Sequence, residues 1–228
     1  MIDRDNIRDF YDRYPFPGEY SYDQLRRYVP ETNPYISIVN QYIRDGQTIL
    51  DIGCGTGFIT NLIGLKHEVD ITGVDFSTGA DYADTISQRH DIVNCTFVKQ
   101  DFMTYHTHRK FDVIIAQSVL NHMPDYKQAI AKIKKLLAPG GTVIVGVYNT
   151  WGHRAKKLLH VEYGNERLRV DQEFNPYEIA FTDSHVRKQW QEFVCDKVYP
   201  SYNNRWVGLA NLFNGRNGGL TVYVFKDQ

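Results

Sequence analysis

Residues 49–57 read Ile49-Leu50-Asp51-Ile52-Gly53-Cys54-Gly55-Thr56-Gly57, an apolar run that breaks into glycine at every second position. Thr48–Ile52 reads as a buried strand and Phe58–Leu65 as the start of a helix. Between them, Gly53, Gly55 and Gly57 lack the side chains that would stop the backbone turning sharply or a ligand approaching it closely. The exposed first amides of the helix favour a negatively charged ligand group. Strand, glycine loop and helix in this order make a cradle for a nucleotide cofactor, and with it an α/β fold.

The spacing narrows the choice of cofactor. A dinucleotide fingerprint needs G-x-G-x-x-G. Counted from Gly53 or Gly55, its third glycine falls on Phe58 or Thr60. A phosphate-gripping P-loop would end in Gly-Lys-Ser or Gly-Lys-Thr, but Gly57 is followed by Phe58-Ile59. Both patterns fail. What is left is a carboxylate, Asp51, at the strand tip facing the loop; it suits a ligand with an ammonium group and repels a pyrophosphate.

The run resembles the first motif of the class I S-adenosylmethionine-dependent methyltransferases, of the type that acts on small molecules. Later residues fall where that family has them. Val69–Asp75 reads as a second strand ending in Asp75, 24 residues after Asp51. The resemblance implies that Asp75 binds both ribose hydroxyls, and a carboxylate can accept two such bonds. Phe97–Asp101 reads as a third strand running into Asp101-Phe102, which resembles the pair that holds the adenine amino group and covers the ring. Phe111–Ile115 resembles the fourth strand, and Leu137-Ala138-Pro139-Gly140-Gly141 the turn before the fifth. The resemblance spans residues 46–148. It implies S-adenosyl-L-methionine as cofactor and S-adenosyl-L-homocysteine as product. It also implies Asp51, Gly53, Cys54, Gly55, Gly57, Asp75, Phe76, Asp101, Phe102 and Gln117 as cofactor-facing residues, with Cys54 chosen for its small size.

The fold so implied is Rossmann-like: a seven-stranded, mostly parallel sheet flanked by helices, with an N-terminal helical cap and an insertion after strand five. One methyltransferase domain accounts for residues 1–228. Residues 1–45 form the cap, 46–148 the cofactor-binding core, 149–182 the insertion and 183–228 a C-terminal helix and strand hairpin. Ile2–Tyr14 has helical spacing, stopped by Pro15 and Pro17, and Tyr14 beside that turn is a candidate ligand contact. Pro34–Ile43 reads as a second helix. In Tyr126–Leu137 the apolar Ala129, Ile130, Ile133, Leu136 and Leu137 share a face, and Lys127, Lys132, Lys134 and Lys135 read as its solvated side. Val194–Tyr199 is the candidate sixth strand and Leu220–Phe225 the last.

Ligands of open α/β sheets bind outside the carboxyl ends of the strands. The methyl acceptor therefore belongs over strands four and five, beside the loop Gln117–Pro124 and the insertion. Residues 151–170 carry five Lys/Arg against two Glu. His122 and His153 are the candidate general bases, since histidine titrates near neutrality; a base is needed only if the acceptor must lose a proton.

Composition sets outer bounds. A net charge of −1 gives no electrostatic footprint for nucleic acid. Cys54, Cys95 and Cys195 are widely spaced and odd in number, which argues for reduced thiols in the cytoplasm and against a zinc site. No segment reaches the length of a membrane span, and nothing signals an oligomeric state. An RNA or protein methyltransferase, or a non-catalytic protein keeping the cofactor fold, are the alternatives left open by sequence.

Overall fold

The computed structural model describes residues 4–150, 175–199 and 220–227. Five parallel strands come first in the chain: β1 (Thr48–Ile52), β2 (Asp70–Asp75), β3 (Cys95–Lys99), β4 (Phe111–Gln117) and β5 (Leu137–Tyr148). Apolar alternation then decides the two faces. Ile49, Ile71, Val113, Ile115 and Ile144 pack on one side, while Leu50, Ile114, Val143 and Val145 pack on the other. The first face is covered by α3 (Pro34–Tyr42), α4 (Phe58–Lys66) and α5 (Gly79–Arg89). The second is covered by α6 (Tyr126–Leu136) and α7 (Asp183–Gln189), with Trp190 stacked on Phe225.

β6 (Val194–Tyr199) and β7 (Leu220–Lys226) complete seven strands in the order β3-β2-β1-β4-β5-β7-β6. β7 runs antiparallel to both neighbours. The fold is the Rossmann-like sheet expected. Strand order reverses between β1 and β4, so the crevice for a ligand opens there.

Before β1 lie α1 (Arg4–Arg13), α2 (Tyr22–Arg26) and a single 3₁₀ turn at Pro30–Thr32. α2 is short but closed by a capping box between Ser21 and Gln24. Asn33 caps α3 by accepting from the Tyr35 amide at 2.9 Å, with Pro34 in the first turn.

Two boundaries differ from the sequence reading. β3 ends at Lys99, earlier than expected, because its register follows β2 and stops opposite Asp75. Asp101 and Phe102 thus sit in the loop beyond it. The segment Leu137–Gly141 is the irregular start of β5 and not a separate turn, with the register slipping between Phe111 and Val113. The lysine face of α6 is also corrected in part. Lys132 donates to the carbonyls of Phe102, Met103 and Tyr105, and Lys134 to Gln189 and Glu192. Two of the four lysines therefore act as clamps: Lys132 holds the loop after β3, whose unpaired carbonyls draw in its ammonium, and Lys134 ties α6 to the end of α7 and to the Glu192 carboxylate.

Candidate functional site

The glycine loop owes its shape to β2. The amides of Gly53 and Cys54 both donate to the Val74 carbonyl, at 2.8 and 3.3 Å. Gly55 donates to Asp75 Oδ2 at 2.8 Å, Thr56 to the Phe16 carbonyl at 2.9 Å, and Gly57 to Cys54 at 2.9 Å. Glycine is required most plainly at Gly55. Its φ is +54°, and a Cβ there would lie 2.1 Å from the Phe16 carbonyl oxygen. The loop thus shapes space and anchors the cap segment Phe16–Gly18, and its own amides are already satisfied.

A cavity of about 440 Å³ opens at this point, within the range of small-molecule sites. Its wall includes Asp51, Gly53, Cys54, Gly55, Asp75, Phe76, Asp101, Phe102, Gln117 and His122. Sequence reading and structure therefore converge on one place for ten residues. Two others fall elsewhere. Gly57 packs against Ala83 and Phe97 behind the loop. Tyr14 is 47% exposed and rests on Phe10, because the helix turns it outward; Tyr11 and Phe16 line the cavity in its stead. His153 lies outside the described residues.

Electrostatics distinguish the carboxylates. Asp51 is buried, accepts from Thr60 Oγ1 at 2.6 Å, and is pushed up to about 7 because desolvation outweighs that bond and Asp75 adds like charge. Asp75 accepts from the Ser77 amide at 2.8 Å and hydroxyl at 2.6 Å, as well as from Gly55. Burial raises its pKa against these bonds. Asp101 accepts from the Met103 amide at 2.7 Å and from Arg4 at 2.6 Å, and Arg4 also pairs with Asp125. Burial likewise raises the Cys54 thiol, so it serves as a small apolar wall.

On the far side, His122 is buried and its Nδ1 lies 2.9 Å from the Tyr177 carbonyl. A carbonyl only accepts, so Nδ1 carries the proton and Nε2 is the basic nitrogen of the neutral ring. Tyr11 and Tyr148 meet the ring edge-on. The described end of the insertion docks here. Ile179 donates its amide to the Asn121 carbonyl at 2.9 Å, and Thr150 donates to the Phe181 carbonyl at 3.0 Å.

Sequence reasoning missed Arg4, Ile7 and Tyr35, all on the cavity wall. Ile7 and Tyr35 were readable only as apolar positions of helices. Arg4 meets Asp101 across 97 residues, a contact that no local pattern announces. Among the described residues no cluster of His, Cys, Asp and Glu could hold a metal ion, and no helix is long and apolar enough to cross a membrane.

A family model described as a methyltransferase domain matches residues 43–196. The malonyl-acyl-carrier protein O-methyltransferase of Anoxybacillus flavithermus is 25% identical over 194 residues, covering 79% of this chain and 73% of that protein. Among solved structures, magnesium protoporphyrin IX methyltransferase from Synechocystis, with bound SAH, superposes with a TM-score of 0.68 at 17% identity. That match covers 99% of this chain and 100% of the other. The N-methyltransferase NodS from Bradyrhizobium japonicum, in complex with S-adenosyl-l-homocysteine, gives a TM-score of 0.61 at 15% identity, covering 97% and 98%. At such identities the two structures establish a shared fold.

Proposed function

Because the chain belongs to the methyltransferase-domain family, we propose that it moves a methyl group from S-adenosyl-L-methionine to an oxygen, nitrogen or carbon nucleophile of a small molecule. The observation that carries this reading is the convergence of Asp51, Asp75 and Asp101 on one cavity, beside the glycine loop. The bound cofactor supplies a methyl already activated on a sulfonium. The residues fit such a ligand. Asp51 offers a buried carboxyl for the ammonium group, and a cation there would restore its charge. Asp75 reaches the ribose diol by exchanging its bonds to the loop. Asp101 takes the adenine amino group in place of Arg4, with Phe102 against the ring.

The remaining work is positioning and exclusion of water. Helix α1 lays Ile7 and Tyr11 over the cavity, and aromatic faces suit a sulfonium. Where the acceptor must lose a proton, His122 Nε2 takes it, with the ring held by Tyr177. A cavity roofed by α1, together with a structural neighbour named for magnesium protoporphyrin IX and a relative named for the malonyl group of acyl-carrier protein, supports a small molecule or small acyl group as acceptor. The test is calorimetry with S-adenosyl-L-methionine and S-adenosyl-L-homocysteine. Saturable binding is expected, weakened by about 1–3 kcal/mol in Asp75→Ala. Absence of binding at millimolar ligand would overturn the proposal.

A further inference from the structure

Two buried polar atoms on the cavity wall have no hydrogen-bond partner among the described residues: the Tyr35 hydroxyl and Gln117 Oε1. Leaving such an atom unpaired is costly, so folds keep few of them, and those few call for a reason. The two side chains come from different elements and meet at one place. Gln117 ends β4 and stands opposite Gly146 on β5. A Cβ on Gly146 would lie 2.1 Å from Gln117 Oε1 and 3.5 Å from the Tyr35 ring. Gly146 does not have a positive φ, so its bare backbone serves room and not a turn. It clears the floor under both side chains.

This floor spans β4 and β5, beyond the β1–β3 side where Asp51, Asp75 and Asp101 gather. We propose that Tyr35 and Gln117 recognise the polar head of the methyl acceptor, a neutral group with a hydrogen-bond donor beside an acceptor, carried on an apolar or aromatic body. The inference rests on the methyltransferase reading above. Tyr35 donates and the Gln117 carbonyl accepts; the terminal amide torsion of glutamine is soft and turns readily toward a ligand. Burial first, and the charge of Asp51 second, hold the Tyr35 phenol well above its ordinary range, so it remains a donor.

Charge argues for a neutral head. Among the described residues Arg4 is the one lysine or arginine on the cavity wall, and it is engaged by Asp101 and Asp125. An anionic head would find no lysine or arginine on this wall that is not already paired. A cationic head would compete with the cofactor's ammonium for that same carboxylate. The body is set by Tyr11, Ile36, Val119, Met123 and Tyr148, which supply apolar and aromatic wall.

The experiment uses the full chain loaded with S-adenosyl-L-homocysteine and titrated with benzamide, benzoate and toluene, three probes built on one phenyl ring, by ligand-observed NMR. Benzamide should bind at least tenfold more tightly than the other two. Tyr35→Phe and Gln117→Leu should each weaken benzamide at least fivefold and leave toluene unchanged. Each variant should keep or raise its Tm, because it removes a buried polar atom that had no partner. Tyr35→Phe, at a residue outside the cofactor-facing set, should also bind S-adenosyl-L-homocysteine within twofold of wild type. Benzamide binding that ignores both substitutions, or equal binding of toluene, overturns the proposal. Lost affinity for S-adenosyl-L-homocysteine in Tyr35→Phe also overturns it, by assigning Tyr35 to the cofactor. Failure of wild type to bind S-adenosyl-L-homocysteine at all is a separate result, which removes the methyltransferase reading and this inference with it.

Discussion

The two halves of the cavity are built from the same material, the carboxyl ends of parallel strands, yet they are held together differently. Around β1 and β2 the two carboxylates make contacts short in sequence: Asp51 with Thr60, Asp75 with Gly55 and Ser77. Around β4 and β5 they reach far. His122 meets Tyr177, Asn121 meets Ile179, and Tyr35 and Gln117 share the space over Gly146. A site half closed by local contacts is rigid and leaves its mark in a short motif. A half assembled from distant segments can change its ligand without disturbing the fold.

The sharpest way to break this contrast is Gly55→Ala. The left-handed φ and the nearby Phe16 carbonyl both oppose a side chain. We expect a loss of about 3 kcal/mol or more in urea unfolding. Gly140→Ala is the control, since Gly140 has a φ of +73° but nothing within 4 Å of a Cβ; it should cost about 1 kcal/mol. Equal losses at the two positions would show that the loop is not tightly built.

Asp51→Asn comes next. Its folded pKa of about 7 stands above the ordinary carboxylate value. The stability it allows is therefore fully present below about pH 4 and is lost as pH rises through about 7. The ligand-free variant, which keeps an acceptor for Thr60, should gain on the order of 2 kcal/mol over wild type at pH 8 and nothing at pH 4. Binding of S-adenosyl-L-homocysteine should move the other way, weakening tenfold or more at pH 8. In wild type that affinity should rise with pH through 7, with proton release visible as a buffer-dependent calorimetric enthalpy. A variant less stable than wild type at pH 8 would contradict the burial argument.

Lys132→Met tests the clamp between α6 and the loop that carries Asp101 and Phe102. The ammonium is partly exposed, so screening reduces its worth, and a loss of about 1–2 kcal/mol in thermal unfolding is expected. Lys127→Met, on the same helix but exposed, should change stability by less than about 0.5 kcal/mol. Equal effects would restore the solvated-face reading for all four lysines.

The same contrast explains what could be read from the residues alone. The sheet was legible because β1 and β5 are apolar runs beside glycine or proline, because β4 is an apolar run that follows Arg109-Lys110, and because Leu220–Lys226 alternates. Asp51, Gly53, Gly55, Asp75 and Asp101 could be placed beside one cavity because the family resemblance carries those residue types at those separations. Tyr14 was misplaced by one helical turn, since proximity to a proline turn does not say which side of a helix faces in; Tyr11 does. Arg4, Tyr35 and the clamping lysines had no signature because their partners are tertiary. His153 and residues 151–174 fall outside the described residues, so the basic segment of the insertion keeps its standing as an expectation.

The smallest effect concerns the roof. Arg4 on α1 joins Asp101 and Asp125, and its side chain is 34% exposed, so the latch is worth at most about 1 kcal/mol. In the proposed binding mode adenine takes the Asp101 oxygen that Arg4 now holds. Arg4→Gln should therefore tighten S-adenosyl-L-homocysteine by a few-fold at low ionic strength, chiefly through a faster on-rate. The gain should fade by about 0.5 M salt, where the Debye length is only a few ångströms. Weakened binding with a faster off-rate would carry the opposite lesson. Arg4 would then follow its carboxylates onto the bound cofactor, and the roof would belong to the ligand complex and not to the latch that precedes it.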